Sequence, residues 1–154
     1  MSTVTVGEAV PAFTAESTQG TIQSTDLTGQ AYVLYFYPRD NTPGCTTQAQ
    51  NFRDLMSEFA QAGIKIIGVS RDSMSSHQRF ADKQDLNFAL ISDPDEKLCA
   101  LFDVMKLKNM YGKQVRGIER SSFLIDANGV LRQEWRGLRV PGHVDQVLAA
   151  AKEL

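Results

Sequence analysis

The sequence predicts a single α/β domain built on a central sheet, with parallel strands in the middle and an antiparallel edge. A continuously apolar run at residues 31–37 and a second, largely apolar run at residues 64–70 enclose a stretch in which apolar side chains recur every three or four residues. This pattern is typical of a strand, a helix and a second strand, and such units join parallel strands by a right-handed crossover. Near the C-terminus, two further apolar runs enclose Asn128-Gly129, which favours an antiparallel hairpin. Alternation followed by a hairpin predicts an α/β sheet with one antiparallel edge.

Length, charge and hydropathy limit the classes of function that the chain can have. With 154 residues it is long enough for one domain with its own core, and we expect that domain to span residues 1–154. It carries 16 basic and 18 acidic side chains, a net charge of −2, without a block of either sign, which argues against nucleic acid as a partner. The sequence shows neither an export signal nor a membrane-spanning run, so we expect a cytoplasmic protein with no membrane partner.

The N-terminal part is expected to form a β-hairpin and then the first long strand. Two short extended runs, at residues 13–16 and 21–24, lie on either side of a turn that ends at Gly20. The run at 31–37 is apolar and aromatic throughout, as in a strand covered on both faces of its sheet. This strand leads directly to Pro38.

A helix is predicted to begin shortly after this strand. Thr42 is a good N-cap residue, and Pro43 suits the first helical position because its missing N–H would be unpaired there. The apolar side chains of the helix lie on one face and comprise Ala49, Phe52, Leu55, Met56, Phe59 and Ala62. Gly63 is expected to end the helix. Cys45 then lies in the first turn, beyond the carboxyl end of a strand, where open α/β sheets usually bind their ligands.

Shorter elements are expected beyond residue 70. They are a helix at about 75–85, a strand at 88–91, a hairpin at 121–135 and a final helix at about 143–153. Residues 92–96 are interpreted as the opening of a further short helix, because Pro94 and the acidic side chains suit a helix start. Residues 106–117 are polar and weakly periodic, so we interpret them as a mobile loop, with Tyr111 as a candidate to flank a substrate.

Cys45 is the candidate nucleophile. The N–H groups of a first helical turn are unpaired and carry about half a positive charge between them, so they favour a thiolate over a thiol. A thiolate held in this way is reactive at neutral pH. The alternative is a small, inert core residue, because free cysteines are among the most buried side chains in proteins. For a lone cysteine on a helix the inert state is the commoner one, so the surrounding residues decide.

The surroundings of Cys45 resemble a known family. Pro38, Thr42 and Cys45 match the peroxiredoxin motif Pro-x-x-x-Thr-x-x-Cys, and the longer run Pro-Arg-Asp-Asn-Thr-Pro-Gly-Cys-Thr is similar to the bacterioferritin comigratory protein branch, also called peroxiredoxin Q. The resemblance extends over nearly the whole chain. It implies a thioredoxin-like fold, with a central mixed sheet flanked by helices and an N-terminal hairpin. It also implies a thiol-dependent peroxidase for hydrogen peroxide and organic hydroperoxides that uses no metal, haem or flavin cofactor.

The same resemblance implies roles for individual residues. Cys45 corresponds to the peroxidatic nucleophile, Thr42 to the hydroxyl that positions thiolate and peroxide, and Pro38 to a shield against water. The family's distant arginine corresponds to Arg120, whose guanidinium would stabilise the thiolate and bond peroxide oxygens. The backbone amides of Gly44 and Cys45 are further candidates to bind the substrate.

The sequence alone allows a second interpretation for several residues. From sequence alone, Arg120 would more often be a solvated charge at a strand end, and Arg39 lies much nearer to Cys45. His77 and His143 are far from each other and from both cysteines in sequence. We therefore interpret both as solvated surface histidines and predict no metal site.

The sequence departs from the family where a resolving cysteine would be expected. Many relatives carry it five residues downstream of the nucleophile, where this chain has Gln50, and others carry it around residues 80–82, where this chain has none. Cys99 remains, but its apolar neighbours predict burial, and a disulfide with Cys45 needs Cα atoms within about 7 Å, which would require local unfolding. We therefore hypothesise a one-cysteine cycle in which thioredoxin, glutaredoxin or a small thiol reduces the sulfenic acid. We expect a monomer, with a weak dimer as the alternative.

Two alternatives to a peroxidase are considered. A disulfide oxidoreductase on the same fold would need a Cys-x-x-Cys motif, which this chain lacks. A peroxide-sensing redox protein, or a binding module that signals through oxidation of Cys45 with little turnover, is compatible with the missing resolving cysteine. Turnover with candidate reductants separates the sensor from the enzyme.

Overall fold

The fold is a seven-stranded mixed sheet with helices on both faces, and a computed structural model describes it for residues 4–154, apart from the side chain at position 110. The strands are β1 (Thr14–Ser17), β2 (Gly20–Gln23), β3 (Ala31–Phe36), β4 (Ile64–Ser70), β5 (Ala89–Ser92), β6 (Met105–Met110), β7 (Lys113–Ile118), β8 (Ser121–Ile125) and β9 (Leu131–Arg136). The helices are α1 (Pro43–Asp54), α2 (Met56–Gln61), α3 (Met74–Gln84), α4 (Lys97–Leu101) and α5 (His143–Lys152). Within the order β2-β1-β5-β4-β3-β8-β9, the middle strands β3, β4 and β5 are parallel, whereas β8 and β9 add an antiparallel edge. The predicted thioredoxin-like sheet and its N-terminal hairpin, β1 and β2, are confirmed.

Strand β3 is central to the sheet, and all six of its residues are buried. Its side chains alternate between two apolar layers because successive residues of a strand point to opposite faces. On one face, the ring of Tyr35 stacks on Phe52 of α1 with centroids 4.6 Å apart. On the other face, Phe36 packs against Phe102 and Phe123. Burial of each such ring contributes about 1.5–3 kcal/mol, so both layers hold in place the strand that leads to Cys45.

Two helices differ from the sequence-based prediction. The apolar face predicted as one helix up to residue 62 is divided at Leu55, whose backbone is not helical (φ −105°, ψ 10°), into α1 and α2. The short helix α4 begins at Lys97 rather than at Pro94. There the Asp93 carboxylate accepts hydrogen bonds from two N–H groups of the first turn, which would otherwise be unpaired. Among the described residues, no helix combines the length and apolar character needed to cross a membrane.

The prediction of a loop at residues 106–117 is wrong. The segment forms an antiparallel hairpin of β6 and β7, separate from the main sheet, with Met105 paired to Ile118 at its base. Its two-residue turn, Tyr111-Gly112, has φ of 54° and 78°, and positive φ at both positions is the pattern of a type I′ turn. Asn-Gly is the usual sequence for that turn, so the commonest hairpin signal is missing here.

Candidate active site

The start of α1 places Cys45 just beyond the carboxyl end of the central strand. Thr42 precedes the helix with extended backbone angles, and Pro43 takes the first helical position, as predicted. Cys45 follows in the first turn as a free thiol whose residue is 2% exposed. The unpaired N–H groups and the positive end of the helix dipole favour negative charge at this point.

The structure brings Arg120 to Cys45, although 75 residues separate them. One guanidinium nitrogen, Nη2, lies 3.3 Å from Sγ of Cys45, and the other, Nη1, donates to Oε1 of Gln48 at 2.6 Å. The sheet register explains this position: β8 runs antiparallel to β3 with Ser121 opposite Phe36, so residue 120 lies beside the turn that follows β3. Gln48 lies nearly one helical turn beyond Cys45, so α1 contacts both terminal nitrogens of the guanidinium. A positive charge is therefore held against the sulfur.

Gly44 makes room for this guanidinium. A Cβ atom at position 44 would lie 3.2 Å from Nη2 of Arg120, which is tighter than most Cβ contacts in proteins. The backbone of Gly44 does not have the positive φ that favours glycine, so the position requires space rather than conformational freedom. A side chain at position 44 would require the Arg120 guanidinium to shift by a few tenths of an ångström.

Thr42 and Pro38 lie in the turn between β3 and α1. Thr42 is the N-cap residue, as predicted, but its Oγ1 does not bond the helix N–H groups and instead donates to the carbonyl oxygen of Arg39 at 2.8 Å. A hydroxyl oxygen that donates its proton can still accept, so Thr42 keeps acceptor capacity at the helix start. Pro38 is partly buried and lines, together with Arg39 and Arg71, an open cleft of about 380 Å³.

A buried pair of side chains anchors the same turn. Asp40 and His77 are 5% and 0% exposed, and Oδ2 of Asp40 lies 2.7 Å from Nδ1 of His77. Nε2 of His77 lies 2.9 Å from the carbonyl oxygen of Ile91, so both ring nitrogens have an oxygen partner. Burial raises the pKa of Asp40, but hydrogen bonds from His77 and Tyr37 outweigh it and leave that pKa below its usual range. The pair therefore links the turn before α1 to helix α3.

The prediction of solvated histidines is wrong for both residues, because groups distant in sequence bury them. His143 is 1% exposed, and its Nε2 shares a hydrogen bond of 2.8 Å with the hydroxyl of Ser122. Burial, reinforced by the charge of Arg120, lowers the pKa of His143 to about 4, so its ring is neutral at neutral pH. No pattern in the sequence connects His77 to Asp40 or His143 to Ser122, which is why these contacts were missed.

Asp40, Asp72 and His77 form the one group within the described part of the chain whose ligand atoms lie close enough to hold a metal ion, all within 4.8 Å of one another. These atoms already have hydrogen-bond partners. Oδ2 of Asp72 accepts from the hydroxyl of Ser70 and from the N–H of Asp40, while the imidazole contacts Asp40 and a backbone carbonyl. The internal hydrogen bonds alone account for this arrangement.

The two cysteines lie on opposite faces of the sheet. Cys45 belongs to the apolar layer that contains Tyr35, whereas Cys99 belongs to the layer that contains Phe36. Cys99 is fully buried, as its apolar neighbours predict, and burial together with the charge of Asp93 raises its pKa far above the usual range. The sheet therefore lies between the two sulfurs.

Lys108 is a neighbour of the site that sequence reasoning missed, because it lies in the segment interpreted as a loop. Its Nζ donates to the carbonyl oxygen of Ile118. Burial and the charge of Arg120 lower the pKa of Lys108, whereas Cys45 opposes that shift, so the three groups are electrostatic neighbours. The β6–β7 hairpin therefore borders the site.

Comparison with known proteins identifies the class to which this fold and site belong. Residues 6–134 match the family described as AhpC/TSA. Peroxiredoxin Bcp of Xanthomonas campestris is 58% identical over 124 residues, which cover 80% of this chain and 78% of that protein. Peroxiredoxin Bcp of Bacillus subtilis is 45% identical over 153 residues, which cover 99% and 98% of the two chains. This chain belongs to the AhpC/TSA family and is a thiol peroxidase.

A solved structure places it more narrowly. The bacterioferritin comigratory protein of Xanthomonas campestris, captured in trapped intermediate and ligand complexes, superposes with a TM-score of 0.89 at 47% identity over 99% of this chain and 98% of that one. Together with the Bcp relatives, this likeness assigns the chain to the peroxiredoxin Bcp branch, also called peroxiredoxin Q, which confirms the resemblance inferred from the motif.

Proposed function

We propose that this chain reduces hydrogen peroxide and organic hydroperoxides with Cys45 as the peroxidatic nucleophile. The observation that carries the proposal is the guanidinium of Arg120, 3.3 Å from the Cys45 sulfur at the start of α1. The helix end and the arginine both supply positive potential at one atom, and both favour the thiolate. The alkyl peroxide reduction activity described for the Xanthomonas campestris protein supports organic hydroperoxides as substrates.

In the first step, the thiolate attacks one peroxide oxygen in line with the O–O bond. The S–O bond forms as the O–O bond breaks, the sulfur is oxidised to a sulfenic acid, and the leaving oxygen takes up a proton to become water or an alcohol. Negative charge moves from sulfur to the leaving oxygen, so donors fixed along that line stabilise the transition state.

The residues around the sulfur supply these donors and limit access to it. The Arg120 guanidinium and the N–H groups of Gly44 and Cys45 bind the peroxide oxygens, while the Thr42 hydroxyl accepts from the incoming peroxide. Pro38 shields the thiolate from water. Cys45 is only 2% exposed, whereas Thr42 and Arg120 are partly exposed. The small –OOH end of a hydroperoxide therefore reaches the sulfur between Thr42 and Arg120.

We infer that an external thiol completes a one-cysteine cycle. The sheet separates Cys45 from Cys99, and α1 carries Gln50 where many relatives have a resolving cysteine. A thiol of thioredoxin, glutaredoxin or a small molecule condenses with the sulfenic acid, which forms a mixed disulfide and releases water. A second thiol then displaces the Cys45 thiolate and leaves the reductant as a disulfide. Because Cys45 is buried, a bulky thiol needs the first turn of α1 to open.

Mass analysis tests the cycle directly. After one equivalent of peroxide, a gain of one oxygen on the intact chain is expected, whereas a loss of two hydrogens would show an internal disulfide and overturn the one-cysteine cycle. Cys45→Ser should abolish peroxide reactivity, and Cys99→Ser is the matched control that should retain full turnover. A single oxidation event without turnover, whichever thiol is supplied, would instead favour the peroxide sensor.

A further inference from the structure

The β6–β7 hairpin, residues 105–118, combines exposed apolar side chains with positive charge. Five large apolar side chains are exposed among the described residues, and three of them lie here: Leu107 at 68%, Tyr111 at 100% and Val115 at 43%. The hairpin also carries four basic side chains and no acidic one, in a chain whose net charge is −2. Exposed apolar residues gathered on one projecting element are typical of an interaction site.

The charges at the base and near the tip of the hairpin differ in their partners. Near the base, Lys106 pairs with Asp103 at 3.2 Å, and Arg116 pairs with Glu96. Near the tip, Lys113 forms no ion pair with any residue that the structure describes. The ion pairs hold the base against the body of the protein, while the tip presents uncompensated positive charge to solvent.

The tip of the hairpin holds a tyrosine in an unfavourable conformation. Tyr111 has a φ of 54°, in the left-handed region, which is sterically unfavourable for a residue that carries a Cβ atom. The ring gains no packing in return, because the residue is fully exposed. Backbone strain retained without an intramolecular benefit is often found where a protein contacts a ligand or partner.

The hairpin also lies close to the sulfur of Cys45. Lys108 of β6 bonds the carbonyl of Ile118, and the chain then reaches Arg120 within two residues. Arg120 contacts Cys45, whose sulfenic acid has no partner cysteine on its own face of the sheet among the described residues. A thiol protein that recycles Cys45 must therefore approach beside this hairpin.

The geometry points to the β6–β7 hairpin as the surface on which an acidic, thiol-bearing reductant protein docks to reduce oxidised Cys45. This inference rests on the proposed peroxidase cycle and names the partner of its second half. An acidic surface complements Lys108 and Lys113, and such complementarity accelerates association. Val115 pairs with Lys108 and so lies on the same face of the hairpin, where it supplies apolar contact area together with Tyr111 at the tip. The chemistry is unchanged: mixed disulfide formation with release of water, then thiol–disulfide exchange within the complex.

The sharpest test is Tyr111→Asn, which separates docking from structure. Asn-Gly is the preferred sequence for a type I′ turn, so the variant should unfold at a higher temperature than the unchanged chain. It also removes the exposed ring, so the KM for an acidic thioredoxin, kept reduced by its reductase and NADPH, should rise about tenfold. Turnover with dithiothreitol, which needs no docking surface, should not change.

Charge reversal gives an independent arm with a matched control. Lys113→Glu should raise the KM for the same thioredoxin about tenfold and weaken its dependence on ionic strength, because an attractive charge becomes repulsive. Lys65→Glu makes the same charge change at an exposed position near the amino end of β4, far from the carboxyl ends of the strands. This control should change neither the KM for thioredoxin nor its dependence on ionic strength.

The outcomes separate failure of the docking surface from failure of the cycle. If Tyr111→Asn and Lys113→Glu leave the KM for thioredoxin unchanged, the docking surface is refuted while the peroxidase stands. The docking surface is also refuted, and the peroxidase stands, if dithiothreitol recycles the unchanged chain but neither thioredoxin nor glutaredoxin does. If no thiol recycles the unchanged chain, the proposed cycle itself is refuted, and the docking inference with it.

Discussion

The contact between Arg120 and Cys45 allows the effect of a substitution on activity to be estimated. At the observed separation of 3.3 Å, two unit charges attract by about 5 kcal/mol at an effective dielectric constant near 20, and by about 1.3 kcal/mol in bulk water. Arg120 is partly exposed, so we expect a value between these limits, about 3 kcal/mol. Arg120→Met keeps the apolar stem of the side chain but removes the charge and both donors. The value of kcat/KM for peroxide should therefore fall about 100-fold.

Rapid-mixing measurement of Cys45 oxidation by hydrogen peroxide gives the relevant rate constant without the reductant step. Arg120→Lys keeps the charge but loses the planar pair of donors that bonds both the sulfur and Gln48. Its rate constant should therefore lie between those of Arg120→Met and the unchanged chain. Arg139→Met, at an exposed arginine, is the matched control and should react normally. If folded Arg120→Met reacts within about threefold of the unchanged chain, the guanidinium does not stabilise the reacting charge and the reasoning fails.

Three further predictions concern the residues around this contact. Gly44→Ala should lower kcat/KM for peroxide about tenfold, because its Cβ at 3.2 Å displaces Arg120, while thermal unfolding shows no loss of stability, since alanine favours helices. His77→Leu should lower the free energy of unfolding, measured by urea titration, by about 3 kcal/mol or more, because the buried Asp40 carboxylate loses its hydrogen bond from His77. Lowering the pH from 6.5 to 4 should cost about 3 kcal/mol of stability through His143. The unfolded ring protonates near pH 6.5 but the folded ring only near its pKa of about 4, so the unfolded state binds more protons in this window. Urea titrations across this range measure the slope, and His143→Gln should reduce it.

Each of these predictions has a result that contradicts it. Gly44→Ala with normal peroxide reactivity would show that Arg120 adjusts to the added methyl group. A loss below about 1 kcal/mol in His77→Leu would mean that Asp40 is solvated or protonated without its partner. An unchanged pH slope in His143→Gln would assign the proton uptake to other groups.

Local sequence signals were sufficient for the central strand and the helix start. Strand β3 is apolar throughout because both of its faces are covered, and Pro43 marks the first helical position because of its own chemistry. Both signals depend only on neighbouring residues. The position of Arg120 depends instead on the register of β8 against β3, which the packing of both sheet faces sets. Only the family resemblance, and no pattern within the chain, linked Arg120 to Cys45.

The errors arise where the residue that fixes the local structure is not the one that the sequence pattern indicates. That residue either lies far away in sequence or differs from the residue that is usual at its position. His77 is buried because Asp40, 37 residues away, accepts its hydrogen bond. The start of α4 is fixed by Asp93 rather than by the nearby proline. The β6–β7 hairpin escaped detection because Tyr111 occupies a turn position at which asparagine is the usual residue.

The sheet between the two sulfurs also determines how the protein would be inactivated. On a one-cysteine cycle, each sulfenic acid waits for a thiol from outside, and a second molecule of oxidant competes for it. The product of that competition is a sulfinic acid, which ordinary thiols do not reverse. The number of turnovers before inactivation should thus depend on the ratio of thiol to oxidant around the protein. A sudden excess of oxidant should inactivate most molecules irreversibly.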